Sequence, residues 1–169
     1  RSININARNI LDTNAGSLVT GTVGGPATGD VLLATGFNFF PALTTPLGGP
    51  ITSGPINGRT VLLNAVAGDV LVNGPISGND VLLVGNLGTG PIGADLGDVV
   101  VNDLTIAARN LSVLSAAGES IFINSPISAG GIATLTAPSG AVDLNTPVNM
   151  SGAFIASSFD ALLLDQVLT

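Results

Sequence analysis

Apolar and polar positions alternate in short stretches of this chain, and glycine, proline or asparagine ends each stretch. Residues 69–73 are Asp-Val-Leu-Val-Asn, and similar stretches recur at residues 98–102, 120–124 and 141–145. A period of two residues is typical of a β-strand that buries one face. Because asparagine, glycine and proline favour turns, the pattern predicts short strands separated by tight turns, with no room for helices.

The two positions that flank the central residue of each stretch are apolar in all four copies. They are Val70 and Val72, Val99 and Val101, Ile121 and Ile123, and Val142 and Leu144. Side chains two positions apart lie on the same face of a strand. We therefore expect these side chains to face the interior.

The chain repeats itself about every 20 residues. GPINGRTVLL at residues 54–63 and GPISGNDVLL at residues 74–83 agree at seven of ten positions. The asparagines that end the four stretches are 29, 22 and 21 residues apart. An insertion at about residues 89–97 explains the longest step, and a second at about residues 35–53 separates an earlier copy at residues 30–34. The underlying period is 20–22 residues.

A second type of apolar stretch alternates with the first. It occupies residues 61–65, 81–83, 111–113 and 133–137, and glycine follows each copy within a few residues. Residues 153–169 depart from the repeat, and we interpret them as a non-repeat tail of a single domain that spans residues 1–169.

Strands this short cannot bury a face as isolated hairpins, but they can stack in parallel. Neighbouring strands lie about 4.8 Å apart, so each repeat would add one coil to a continuous core. The sequence therefore predicts an all-β fold, a parallel β-helix (solenoid) of about six coils. A β-sandwich is the alternative; it would require antiparallel pairs and would leave the recurring asparagine and proline positions unexplained.

The charge balance limits the partners of this chain. It has 11 acidic residues and four basic ones, all arginines, for a net charge of −7. Nucleic acid and anionic membrane surfaces attract clustered positive charge, so we expect neither as a partner. The uncharged residues 31–58 contain four prolines, which argues against insertion as a membrane-spanning helix.

Several residue types that carry chemistry are missing from the chain. It has no Cys, His, Trp or Tyr, so thiolate chemistry is excluded and the commonest metal ligand is absent. Paired carboxylates could serve a hydrolase, but 11 acidic residues supply such a pair by chance. We expect no enzymatic activity. The chain begins with Arg1 and not with Met, which is typical of a piece of a longer protein.

An asparagine column is the first candidate site. Asn73, Asn102, Asn124 and Asn145 each follow a predicted strand. We expect an internal ladder at a coil corner, in which stacked amides hydrogen-bond to one another and to the turn backbone. A row of amides that binds a ligand is the alternative.

An aspartate column is the second candidate. Asp30, Asp69 and Asp98 precede the strand in three copies, and Ca²⁺ could bridge carboxylates stacked about 4.8 Å apart. However, Ser120 and Ala141 end the column, and the Gly-Gly-x-Gly-x-Asp motif of calcium-binding rolls is absent. Solvated turn carboxylates are therefore the favoured interpretation, and we expect no cofactor.

The outward position between the two buried ones is apolar in four copies and indicates an interface. Its residues are Leu32, Leu71, Val100 and Phe122, and Asp143 follows. Either another subunit contacts this stripe, or an insertion or the tail folds over it. The longer insertion carries Phe37, Phe39 and Phe40, which either anchor it to the shaft or form a second contact.

Residues 118–152, GESIFINSPISAGGIATLTAPSGAVDLNTPVNMSG, resemble the repeats of filamentous-haemagglutinin-like exoproteins. These are large bacterial surface and secreted proteins with a right-handed parallel β-helix shaft. The resemblance implies an extracellular structural protein that self-associates into a filament or fibre, with no catalytic residues to carry over. An adhesin module that binds a surface glycan or receptor is the alternative, and a β-helical carbohydrate-active enzyme is a third.

Overall fold

The computed structural model describes residues 1–7, 10–21, 26–35, 49–65, 68–85, 97–103, 105–115 and 119–164. All regular secondary structure in these residues is β-strand, as the alternation predicts. The strands are β1 (Ile3–Ala7), β2 (Leu11–Thr13), β3 (Leu18–Val19), β4 (Val31–Thr35), β5 (Ile51–Ser53), β6 (Ile56–Asn57), β7 (Thr60–Ala65), β8 (Val70–Val72), β9 (Ile76–Gly85), β10 (Val99–Val101), β11 (Thr105–Ser115), β12 (Ile121–Ile123), β13 (Ile127–Ala129), β14 (Ile132–Ala137), β15 (Val142–Leu144), β16 (Val148–Met150), β17 (Phe154–Ser158) and β18 (Leu162–Leu164). None of the described residues forms a helix long and apolar enough to cross a membrane.

The strands form two sheets whose neighbours are parallel. Sheet B has seven strands in the order β2-β5-β8-β10-β12-β15-β18. Sheet A has eleven, with the path β1-β4-β7-β9-β11-β13-β16, and β14 and β17 extend it beside β11. Along the chain, one or two strands of sheet A lie between successive strands of sheet B, and each return to a sheet adds a strand beside an earlier one. This arrangement is consistent with a β-solenoid.

The β-sandwich alternative is wrong. Every pair of named strands in the described residues is parallel, and the antiparallel bridge between Gly21 and Ala27 lies outside those strands. A sandwich of hairpins would need antiparallel ladders.

The predicted registers are confirmed in both sheets. In sheet B, Val70 pairs with Val99, Val99 with Ile121 and Ile121 with Val142. In sheet A, the second type of stretch stacks in the same way, from Val61 to Val81 and onward to Leu111 and Ala133. The eight inward side chains of the first type are all at most 1% exposed. Burying an aliphatic side chain of this size contributes about 1.5–3 kcal/mol, so these columns are a main source of stability.

A third strand position, which the repeat analysis did not identify, completes each unit. It is formed by β6, β13, β16 and the first residues of β9 and β11. Its inward side chains include Ile56, Ile76, Ile127 and Val148, each at most 2% exposed. In the sequence all four directly follow a proline, and that position was the available signal.

Two residues were assigned to the wrong column. Val31 pairs with Val61 in sheet A, so residues 30–34 are a copy of the second type of stretch. Asp30 and Leu32 therefore do not stack with Asp69 and Leu71, which lie in sheet B. Both types of stretch begin with similar Val-Leu sequences, so the local pattern does not distinguish them.

The expected limits of the insertions and the tail also need correction. Residues 51–53, assigned to the first insertion, form β5 between β2 and β8. Residues 36–48 of that insertion and residues 89–96 of the second one lie outside the described residues. Strands β17 and β18 pair in register with β14 and β15, so residues 154–164 continue the repeat. The run Leu162-Leu163-Leu164 lacks polar alternation, which concealed this copy.

Candidate functional site: side-chain columns and a polar groove

The asparagine column forms a continuous hydrogen-bonded ladder. Asn102 Nδ2 donates to Asn73 Oδ1 at 3.0 Å, Asn124 to Asn102 at 3.0 Å, and Asn145 to Asn124 at 2.9 Å. The backbone N–H of each asparagine also donates to a carbonyl of the neighbouring unit, as from Asn102 to Val72 at 2.8 Å. The four side chains are exposed, so the expectation of an internal ladder is wrong: the ladder runs along the surface where β8, β10, β12 and β15 end.

The aspartates of sheet B serve the backbone of the next unit. Asp69 Oδ1 accepts a hydrogen bond from the Asp98 N–H at 3.0 Å, and Asp98 Oδ1 accepts one from the Ser120 N–H at 2.8 Å. Ser120 Oγ continues the series by accepting from the Ala141 N–H at 3.1 Å. Serine replaces aspartate here without breaking the column because both supply a short acceptor.

Asp30 lies apart from this column, so the proposed three-aspartate calcium row is not formed. Its Oδ1 accepts from the Thr60 N–H at 3.3 Å, and its carboxylate pairs with Arg59. In the part of the chain that the structure describes, no three acidic side chains come close enough together to hold a metal ion.

Two arginine–aspartate pairs of the same geometry join neighbouring units along sheet A. Arg59 donates from Nε to Asp30 Oδ1 at 3.0 Å and from Nη2 to Asp30 Oδ2 at 2.8 Å. Arg109 donates from Nε to Asp80 Oδ1 at 3.0 Å and from Nη2 to Asp80 Oδ2. Hydrogen bonds from the guanidinium groups lower the pKa of both carboxyl groups below the usual aspartate value, so both pairs are ionised at neutral pH.

These pairs were missed in the sequence. Each arginine follows its aspartate by 29 residues, from Asp30 to Arg59 and from Asp80 to Arg109. In a chain with four cations this spacing was a usable signal. In each pair the 29 residues lead from one strand of sheet A to the strand that pairs with it, from β4 to β7 and from β9 to β11. Each arginine therefore contacts an aspartate of the adjacent unit.

A polar groove lies between and beside the two ion pairs. Its largest part, about 500 Å³, is lined by Arg59, Thr60, Asn79, Asp80 and Arg109. A second part of about 310 Å³ shares Arg59 and Asn79 and extends past Gly58 and Gly78.

The outward apolar stripe is present in sheet B, but it has three residues where four were expected. Leu71, Val100 and Phe122 stack in register, each half-buried, and Asp143 follows. Leu32 instead stacks with Leu62 and Leu82 on sheet A. The predicted contact residues Phe37, Phe39 and Phe40 lie outside the described residues.

Comparisons of the chain with models of protein families, with curated proteins and with solved structures return no match. The resemblance of residues 118–152 to filamentous-haemagglutinin-like repeats therefore remains a prediction from the sequence.

Proposed function

We propose that this chain is an extracellular, non-catalytic structural protein, a β-solenoid segment that self-associates into a surface filament or fibre. In this proposal the solenoid is a right-handed parallel β-helix of about six coils, and the stack of seven parallel strands in sheet B supports a shaft of about that length. The resemblance of residues 118–152 to exoprotein shafts supports the extracellular setting and the handedness.

The observation that carries the proposal is the uncovered edge of sheet B. Within the described residues, β18 pairs with β15 on one side and leaves its other edge open. Leu162 and Leu164 are 44% and 45% exposed, although the residues that they stack on, Val142 and Leu144, are at most 1% exposed. A further parallel strand would cover these leucines and satisfy the open backbone groups.

The stripe on the outer face of sheet B supports lateral contact as well. Leu71, Val100 and Phe122 form a continuous apolar row next to the asparagine ladder. Contacts along the axis and contacts between shafts would together produce a fibre, because an interface that does not close on itself propagates.

Electron microscopy and sedimentation velocity over a concentration series test the proposal. We expect fibres or a concentration-dependent rise in mass for the unaltered chain, and a loss of axial growth in Leu162→Lys/Leu164→Lys. The control is Leu82→Lys/Ile132→Lys, which adds the same charge at side chains of similar exposure, 37% and 47%, away from that edge. A chain that stays monomeric at every concentration, or fibres of unchanged length from the edge variant, would refute it.

The adhesin alternative requires a surface that recognises a ligand. The polar groove is the feature of the described residues that favours it, and ligand binding there is independent of assembly.

A further inference from the structure

We propose that the groove on sheet A binds a neutral oligosaccharide. The groove is built from residues of successive repeat units, and it lies away from the sheet B edge and stripe on which the proposed assembly depends.

The shape of the groove suits an extended chain. A third depression of about 320 Å³ adjoins the other two and shares Asn57 and Ser77 with the middle one. The three parts form one path that runs past β6 and the first residues of β9 and then past Gly58 and Gly78. Each part is in the lower range of small-ligand sites, so the path can hold several sugar rings in a row.

The groove offers both hydrogen-bond donors and hydrogen-bond acceptors. The side chains of Ser77 and Asn79 make no hydrogen bond within the described part of the chain, so a hydroxyl and an amide are free for a ligand. Arg59 and Arg109 each use Nε and Nη2 on an aspartate and keep the Nη1 donors. Sugar hydroxyl groups both donate and accept, and they match this mixture.

The charge of the groove favours a neutral ligand. Its two guanidinium groups are balanced by the carboxylates of Asp30 and Asp80, which leaves no net attraction for an anion. The chain as a whole carries −7, which opposes the approach of a polyanion. An uncharged sugar chain meets no such repulsion.

Apolar surface lies beside the polar groups. Pro26 and Ile106, which is 42% exposed, line the middle part, and Pro55, Pro75 and Val19 line the third. A pyranose ring has an apolar face of C–H groups and an edge of hydroxyl groups, so it can contact both kinds of surface at once.

The groove is preorganised. The Gly58 N–H donates to the Ser77 carbonyl at 3.0 Å and the Asn79 N–H to the Arg59 carbonyl at 2.8 Å, which holds two neighbouring units together along the groove. The two-point ion pairs fix the planes of both guanidinium groups. Little ordering is then required when a ligand binds.

Isothermal titration calorimetry with defined oligosaccharides tests the site. The neutral probes are hexasaccharides of α-1,4-glucose, β-1,4-glucose, mannose and N-acetylglucosamine, and the charged probe is an oligogalacturonate. We expect at least one neutral probe to bind and Asn79→Ala to weaken it about five- to tenfold, the effect of losing about one net hydrogen bond. Asn149→Ala, an exposed asparagine of sheet A outside the groove, should bind as the unaltered chain does.

The proposal is overturned if no neutral probe binds, if the oligogalacturonate binds more tightly, or if Asn79→Ala and Asn149→Ala have the same effect. The titrations are repeated in the Leu162→Lys/Leu164→Lys background, whose altered edge lies outside the groove. If this variant still binds the oligosaccharide but no longer grows along the axis, the binding site and the proposed assembly are shown to be independent.

Discussion

At the scale of the residue, the asparagine ladder has a direction. Asn145 donates to Asn124, and the series of Nδ2–H donors ends at Asn73, whose Oδ1 only accepts within the ladder. The two ends therefore have different chemical requirements: a donor at Asn145 and an acceptor at Asn73. A carboxylate can fulfil the second requirement and not the first.

Asn145→Asp should consequently lower the free energy of unfolding by about 1 kcal/mol, because it removes a donor and places negative charge beside Asn124 Oδ1. Asn73→Asp keeps its acceptor and should change the stability by less than about 0.5 kcal/mol. Urea unfolding at neutral pH followed by circular dichroism measures both. Equal losses, or a larger loss for Asn73→Asp, would show that the ladder does not run in this direction.

At the scale of the element, stacked turns of neighbouring units lie in close contact. A Cβ atom on Gly140 would lie 2.0 Å from the carbonyl oxygen of Glu119, in the preceding unit. A contact of that length is far inside van der Waals distance, so the stacked turns must separate to admit any side chain. Gly140 is thus required by close approach between units.

We expect Gly140→Ala to destabilise the fold by about 2–4 kcal/mol, in the range of strained small-to-large substitutions. Gly16→Ala is the matched control, because a Cβ there meets no atom within 4 Å. Thermal unfolding of the two variants should show a large fall in Tm for the first and almost none for the second. Similar Tm values would mean that the stacked turns can move apart at little energetic cost.

At the scale of the whole molecule, the buried core and the proposed contact surface lie on opposite faces of the same strands. Val101 is fully buried in β10, whereas its neighbour Val100 faces outward in the stripe with Leu71 and Phe122. In stacked repeats, each unit is stabilised mainly by its neighbours, so the outer face is free to take part in contacts between molecules.

Leu71→Asp/Phe122→Asp should therefore reduce lateral association and leave a folded chain. Val101→Asp should prevent folding, because it buries an unpaired charge. Sedimentation velocity reports the association and circular dichroism the fold. If the double variant unfolds as Val101→Asp does, the outer face supports the core and not a contact.

Alternation and spacing along the chain were sufficient to predict the repeated β-strands and two buried side-chain columns of this protein. A strand that buries one face must alternate, and strands stacked in parallel must repeat similar side chains. Val70, Val99, Ile121 and Val142 could therefore be placed in one buried column from the amino-acid pattern alone. The asparagine column followed from the same argument, because its members recur at the same place in each repeat.

Which copy stacks on which was settled by contacts between distant residues. Residues 30–34 have a pattern that fits either sheet, and their pairing with β7 placed Asp30 beside Arg59 and away from Asp69. The leucines of β18 have no alternation to read, yet they align with β15. The groove depends on contacts between separate units, and such contacts are set by the order of stacking, which local alternation does not encode.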